Sequence, residues 1–292
     1  IEAASGGRIK IGVYPSMQLG GKAPQLYDQT RDGVVDIAWT VAGYTPGRFP
    51  RLEAFELPFV ASDKGEITSR ALWDYAASDA AGELGEVKVL AVFAHGKGNL
   101  FVKDKKVVKP ADIAGIKIRV PSRTVNDTLT LLGASPQGIP APGVPEALAK
   151  GVVDGVMFPY EVVPAFKVHE LTNRVSEWMG DRALYTAVFL FVMNKGRYDA
   201  LPADLKKIID DNSGLVLSVE GGKSWDAWDD IGRQAVAAAG GVVTKIDGAD
   251  LAAWQAATAP IIDRWIAART AAGDDGAGLV ARARALIARQ RE

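Results

Sequence analysis

The run Gly115-Ile-Lys-Ile-Arg-Val-Pro-Ser122, continued by Ala147-Leu-Ala-Lys-Gly-Val-Val-Asp-Gly-Val-Met-Phe-Pro159, constrains the fold more than any other stretch. Ile116, Ile118 and Val120 alternate with Lys117 and Arg119, the period of two expected of a strand with one apolar face. Pro121 ends the ladder, having no N–H to donate. Ser122 or Asn126 is placed to start a helix with apolar positions at Val125, Leu129 and Leu132, and Gly133 is a suitable stop. A further helical turn over 145–150 runs into the apolar Val156-Met157-Phe158. The stretch therefore reads as a βα unit returning to a buried strand.

The same device occurs once before. Arg8-Ile-Lys-Ile-Gly-Val-Tyr-Pro15 parallels the first strand, and Asp32-Gly-Val-Val-Asp-Ile-Ala-Trp39 parallels the second. Two copies predict an α/β chain of two lobes built on one plan. Where the first copy has Gly12, the second has Arg119. A guanidinium at the C-terminal end of a strand stands where open α/β sheets receive ligands. Taken alone, Lys117 and Arg119 on one strand face also fit a solvated surface.

The charge balance removes several classes of function. With 34 basic and 35 acidic residues the chain carries almost no net charge, which offers no footprint for nucleic acid or an anionic membrane. There is no cysteine, hence no disulfide, thiolate nucleophile or cysteine metal site. His95 and His169 are the only histidines, and their placement suggests neither a metal site nor a catalytic triad. Gly20-Gly-Lys22 lacks the spacing and the Lys-Ser/Thr ending of a phosphate loop.

Elsewhere the patterning predicts a helix from about 23 to 31 and a strand over 34–40 that leads into the turn Thr40-Val-Ala-Gly-Tyr44. A helix over 66–80 and a buried strand over 87–94 follow, the strand ending in His95-Gly-Lys-Gly98. Pro159 begins a further helix, and 183–193 is an aromatic-rich strand. A long helix runs from Leu201-Pro202 to about Ala239, a strand covers 242–246, and helices cover 250–270 and 279–290. Trp225, Trp228, Trp254 and Trp265 read as packing residues of these late helices.

Several short pieces, in order, resemble the DctP-type solute-binding proteins of TRAP transporters. They are Gly7-Arg-Ile-Lys-Ile-Gly-Val-Tyr-Pro-Ser-Met-Gln-Leu-Gly20, Leu57-Pro-Phe59, Lys117-Ile-Arg-Val-Pro121, Leu132-Gly-Ala-Ser-Pro136, Leu148-Ala-Lys-Gly-Val-Val-Asp-Gly155 and Met193-Asn-Lys195 with Tyr198-Asp-Ala-Leu-Pro202. The resemblance implies a two-lobed, type II-like periplasmic binding protein with an interlobe ligand cleft and hinge-crossing strands. Lobe I is expected to comprise 1–95 plus 187–242, and lobe II 96–186 plus 243–292. It implies a further strand and helix ahead of Ile1, a periplasmic location and export signal, TRAP permease subunits as partners, and a monomeric receptor without cofactor or metal. It also implies that Arg119 makes a salt bridge to the carboxylate of the transported acid.

Physical chemistry supports that assignment, since a planar guanidinium meets a carboxylate bidentately and a closed cleft leaves an unpaired cation at high cost. The expected ligand site comprises Arg119, Trp39, Tyr44, His95, Gly98, Ser122, Phe158, Pro159 and Tyr185. His95 is either a donor to the ligand or a loop histidine. The family members that bind sugar acids line the cleft with charged and amide groups; here Val41, Ala42, Gly98 and Phe158 stand at such positions. Losing polar groups removes the reward for hydroxyls, and an aromatic or apolar monocarboxylate is the favoured ligand. An aliphatic 2-oxo or 2-hydroxy acid is the alternative, and an enzyme on the same scaffold a further one, although no catalytic constellation is visible.

Overall fold

Two sheets, each with its own core, divide the chain. The computed structural model describes residues 1–291. Strands β1 (Ile37–Val41), β2 (Val87–Ala94), β3 (Asn99–Val102), β4 (Lys117–Val120), β5 (Ser135–Gly138), β6 (Gly155–Phe158), β7 (Arg174–Trp178), β8 (Val188–Asn194) and β9 (Val242–Ile246) form them. In the first lobe β8 lies between β1 and β2, antiparallel to both. The second lobe has the order β5-β4-β6-β3-β7-β9. Its β4 and β6 are parallel, as expected of a βα unit returning to a buried strand; β5, not anticipated from the sequence, lies parallel on the other side of β4, and β3 runs antiparallel between β6 and β7.

The βα unit forms as its residues dictate. Ile118 and Val120 are buried, and Ser122 caps the helix Arg123–Leu131 by accepting the Val125 N–H at 3.5 Å. Gly133 follows at φ +82°, a conformation that costs glycine little and other residues more.

Four segments join the lobes. Residues 95–98 connect β2 to β3, and 179–187 connect β7 to β8. The helix Leu215–Ala238 spans both lobes. At Gly222 it lies flush on the Gly65 backbone of the first lobe, and at Gly232 on the Tyr160 carbonyl of the second; a Cβ at either would collide with backbone. Between these anchors, Asp226 accepts the N–H groups of Gly65 and Glu66 at 2.8 and 3.0 Å, capping the helix Gly65–Ser78. The helix Gly248–Ala271 begins with Trp254 in the second core, edge-on to Trp178, and ends with Ile261 and Trp265 in the first.

Several expectations need correction. Residues 8–15 form no strand, and Val13 and Tyr14 are exposed; an alternating segment becomes a strand only where another strand completes its ladder. The helix expected over 201–239 is two, Ala203–Asp211 and Leu215–Ala238, broken where Gly214 takes φ +74°. No helix begins at Pro159; turns lead to a short helix at Val168–Leu171. The crossing strand starts at Val188 rather than 183. The last helix, Gly276–Arg289, was expected with lobe II, but it buries Leu279, Val280, Ala283 and Ile287 in the core that holds Leu72 and Tyr75 of lobe I. Its apolar stripe finds its complement on the 65–78 helix.

Candidate ligand-binding site

A cavity of about 220 Å³ lies between the lobes. Trp39, Val41 and Tyr44 reach it from the end of β1 and the turn that follows; Arg119, Phe158 and Pro159 come from the ends of β4 and β6. Three of the joining segments each add an aromatic ring: His95, Tyr185 and Trp225. Phe189 from β8 completes an aromatic wall, stacked on Trp225 (centroids 4.7 Å apart, 22° between planes) and on Phe93 (5.2 Å, 27°). Trp39 tilts against Phe189 at 5.6 Å and Trp225 at 6.4 Å. Such offset contacts orient rings by their quadrupoles as well as by area.

Arg119 is the cation of this cavity. Its residue is 1% exposed. Nε donates to the Ile139 carbonyl at 2.7 Å and Nη1 to the Met157 carbonyl at 3.0 Å, while the guanidinium carbon stands 4.4 Å from the Phe158 ring centroid. The Tyr44 hydroxyl lies beside it and accepts the Ala141 N–H at 2.9 Å, linking the lobes. Among the described residues no carboxylate pairs with Arg119, and burial lowers its pKa. The arrangement holds an oriented, uncompensated positive charge at one end of an apolar chamber, which is a receptor for an anion with an apolar body.

His95 is no donor to a ligand. Its Nε2 accepts the Ala187 N–H at 3.0 Å, so Nδ1 carries the hydrogen and donates to the Gly96 carbonyl at 2.8 Å. Burial, with a smaller contribution from Arg119, pushes its pKa down to about 4. The ring is a neutral wall, 5.4 Å from Tyr185 and 5.8 Å from Trp225.

Of the remaining expected residues, Ser122 and Gly98 lie outside this cavity. Ser122 is spent on the helix cap. Gly98 sits behind Tyr185, where a Cβ would fall among the ring carbons. Trp39, Tyr44, Phe158, Pro159 and Tyr185 are brought together with Arg119.

Trp225 was assigned to packing and Phe189 was not singled out as a wall. Nothing local distinguishes Trp225 from the other late tryptophans. Trp254 and Trp265 are buried in the cores and Trp228 is half exposed; Trp225 differs through the two glycine anchors that set its helix across the cleft. Glu56 was also missed. It is 2% exposed, accepts the Val188 N–H at 3.1 Å through Oε1, and leaves Oε2 without a partner. Burial outweighs the Ser122 and Val188 hydrogen bonds and pushes its pKa up to about 7.

Comparison with known proteins places the chain in a family and beside several solved structures of the same fold. The profile of the DctP family, described as bacterial extracellular solute-binding protein, family 7, matches residues 1–268. A marine metagenome TRAP solute-binding protein specific for aromatic acid ligands, solved with metahydroxyphenylacetate, is 48% identical with a TM-score of 0.97, covering 100% of this chain and 91% of that one. A TRAP solute-binding protein from Rhodoferax ferrireducens, with copurified benzoate, is also 48% identical with a TM-score of 0.97, covering 99% and 90%. One from Bordetella bronchiseptica, with bound (R)- and (S)-mandelate, is 31% identical at a TM-score of 0.90, again covering 99% and 90%. The matches to the first three curated relatives span 48%, 32% and 61% of those proteins' lengths. With the two-lobed fold and the family profile in agreement over most of its length, the chain belongs to the DctP family of bacterial extracellular solute-binding proteins.

Proposed function

We propose that this chain is an extracytoplasmic solute receptor of a TRAP transporter that captures an aromatic monocarboxylate and delivers it to membrane permease subunits without chemical change. The observation that carries this reading is Arg119: buried, oriented by two carbonyls, lacking an acid partner among the described residues, and facing a chamber walled by aromatic rings. The aromatic acids bound by the three related structures support it. Among the described residues no helix is long and apolar enough to cross a membrane, and the receptor is proposed to act as a monomer in the periplasm. Binding follows a hinge closure: in the open cleft Arg119 stays hydrated, and in the closed one the ligand carboxylate replaces that water.

Thermal shift and calorimetry with benzoate, 3-hydroxybenzoate, mandelate, pyruvate, succinate and glucuronate test the reading. A ligand at about a thousand times its Kd adds roughly 4 kcal/mol of stability. Aromatic acids are expected to raise the melting temperature and benzamide to leave it unchanged. A response confined to glucuronate or succinate would refute the aromatic assignment, and conversion of bound acid to product would refute the receptor role.

A further inference from the structure

The Tyr185 hydroxyl is buried and has no hydrogen-bond partner among the described residues, while the Tyr185 side chain lines the cavity. A phenol O–H shut away from water without an acceptor is a costly arrangement, and it stands close enough to Arg119 and Glu56 for both charges to act on it. Its backbone carbonyl accepts the Gly98 N–H at 3.1 Å. Because a Cβ at residue 98 would collide with the ring, glycine there is what admits the Tyr185 ring to this place.

On the aromatic-acid reading above, we propose that the Tyr185 hydroxyl is the second donor to the ligand carboxylate, and that one guanidinium paired with one neutral phenol makes the site select monocarboxylates over dicarboxylates. One carboxylate then satisfies Arg119 and Tyr185 together, with charge balanced one to one. A second carboxylate on the same ligand finds no cation. His95 is locked neutral by its two backbone bonds. The neighbouring Glu56 is not among the residues that line the cavity and, being an acid, supplies no cation there.

The test compares wild type and Tyr185→Phe by calorimetry with benzoate, and wild type with isophthalate against 3-nitrobenzoate, whose nitro group matches a carboxylate in shape but not in net charge. Phenylalanine keeps the ring, so a donor role predicts that benzoate binding weakens about 10- to 100-fold while the ligand-free melt stays within a few degrees. Wild type is expected to bind 3-nitrobenzoate at least about 100-fold more tightly than isophthalate. Gly98→Ala, which displaces the ring, should weaken benzoate at least as much as Tyr185→Phe. Benzoate affinity within twofold of wild type in Tyr185→Phe overturns the donor role, and equal binding of isophthalate and 3-nitrobenzoate overturns the charge selection. If wild type binds no aromatic acid at all, the receptor reading fails and this assignment with it.

Discussion

Arg119 holds its guanidinium carbon 4.4 Å from the Phe158 ring centroid while its Nη1 donates to the carbonyl of Met157, the residue before that ring. The cation is thus fixed both by a π face and by the backbone beneath it. Orientation as well as charge is built in before any ligand arrives.

Replacing Arg119 by Ala is therefore expected to weaken benzoate binding by a factor on the order of 100 or more, read by calorimetry. Lysine should rescue little, because an ammonium cannot engage both backbone carbonyls and a carboxylate with one planar fork. Retention of affinity within about threefold by Arg119→Lys would show that charge alone suffices.

Glu56 predicts the pH response of stability. Its folded pKa is pushed from 4.5 up to about 7, chiefly by burial. Between those values the folded chain binds the proton and the unfolded chain does not, so stability falls as pH rises through that window. Glu83 and Glu161, both raised to about 7, and Asp229, raised to about 6, act in the same direction. Glu56→Gln removes its share and should stabilise the protein at pH 8 by on the order of 2–3 kcal/mol relative to pH 5. Urea unfolding at both pH values decides it: parallel losses in wild type and variant would exclude Glu56 as a contributor.

Gly232→Ala should destabilise the protein by about 1–3 kcal/mol, because the new methyl is driven into the Tyr160 carbonyl where the spanning helix meets the second lobe. Gly82, whose Cβ position is open, is the control and should change little on substitution by Ala. Chemical denaturation of the two variants separates a packing effect from a general effect of losing glycine.

Trp225→Ala should weaken aromatic acids about 10-fold or more while Trp225→Phe keeps most of the affinity, since the ring stacked on Phe189 is the contact at issue. Titration calorimetry reads both. Wild-type quenching or enhancement of tryptophan emission by benzoate should be reduced in each variant; an Ala variant of unchanged affinity would return Trp225 to a packing role.

Much was legible in the linear chain because it rests on local rules. Alternation at Ile116, Ile118 and Val120, the cap at Ser122 and the left-handed stop at Gly133 are consequences of backbone sterics and of orphan N–H groups within a few residues. The doubled βα pattern implied two lobes, and the strand-end position of Arg119, with Trp39, Tyr44 and Phe158 nearby at other strand ends, marked one side of the cavity. Other features were decided only by contacts between distant segments. Residues 8–15 have strand alternation without a ladder partner, and the last helix chose the first lobe because its complementary surface lies on the 65–78 helix. His95 has both ring nitrogens committed to backbone, Nε2 accepting the Ala187 N–H and Nδ1 donating to the Gly96 carbonyl, and so has no donor left for a ligand. Trp225 entered the cleft because two glycines of its own helix, Gly222 seated against the first lobe and Gly232 against the second, set the height and rotation of that helix. Local sequence determines which element a residue joins; which face of that element meets the ligand depends on close packing between elements far apart in the chain, and only the folded arrangement supplies it.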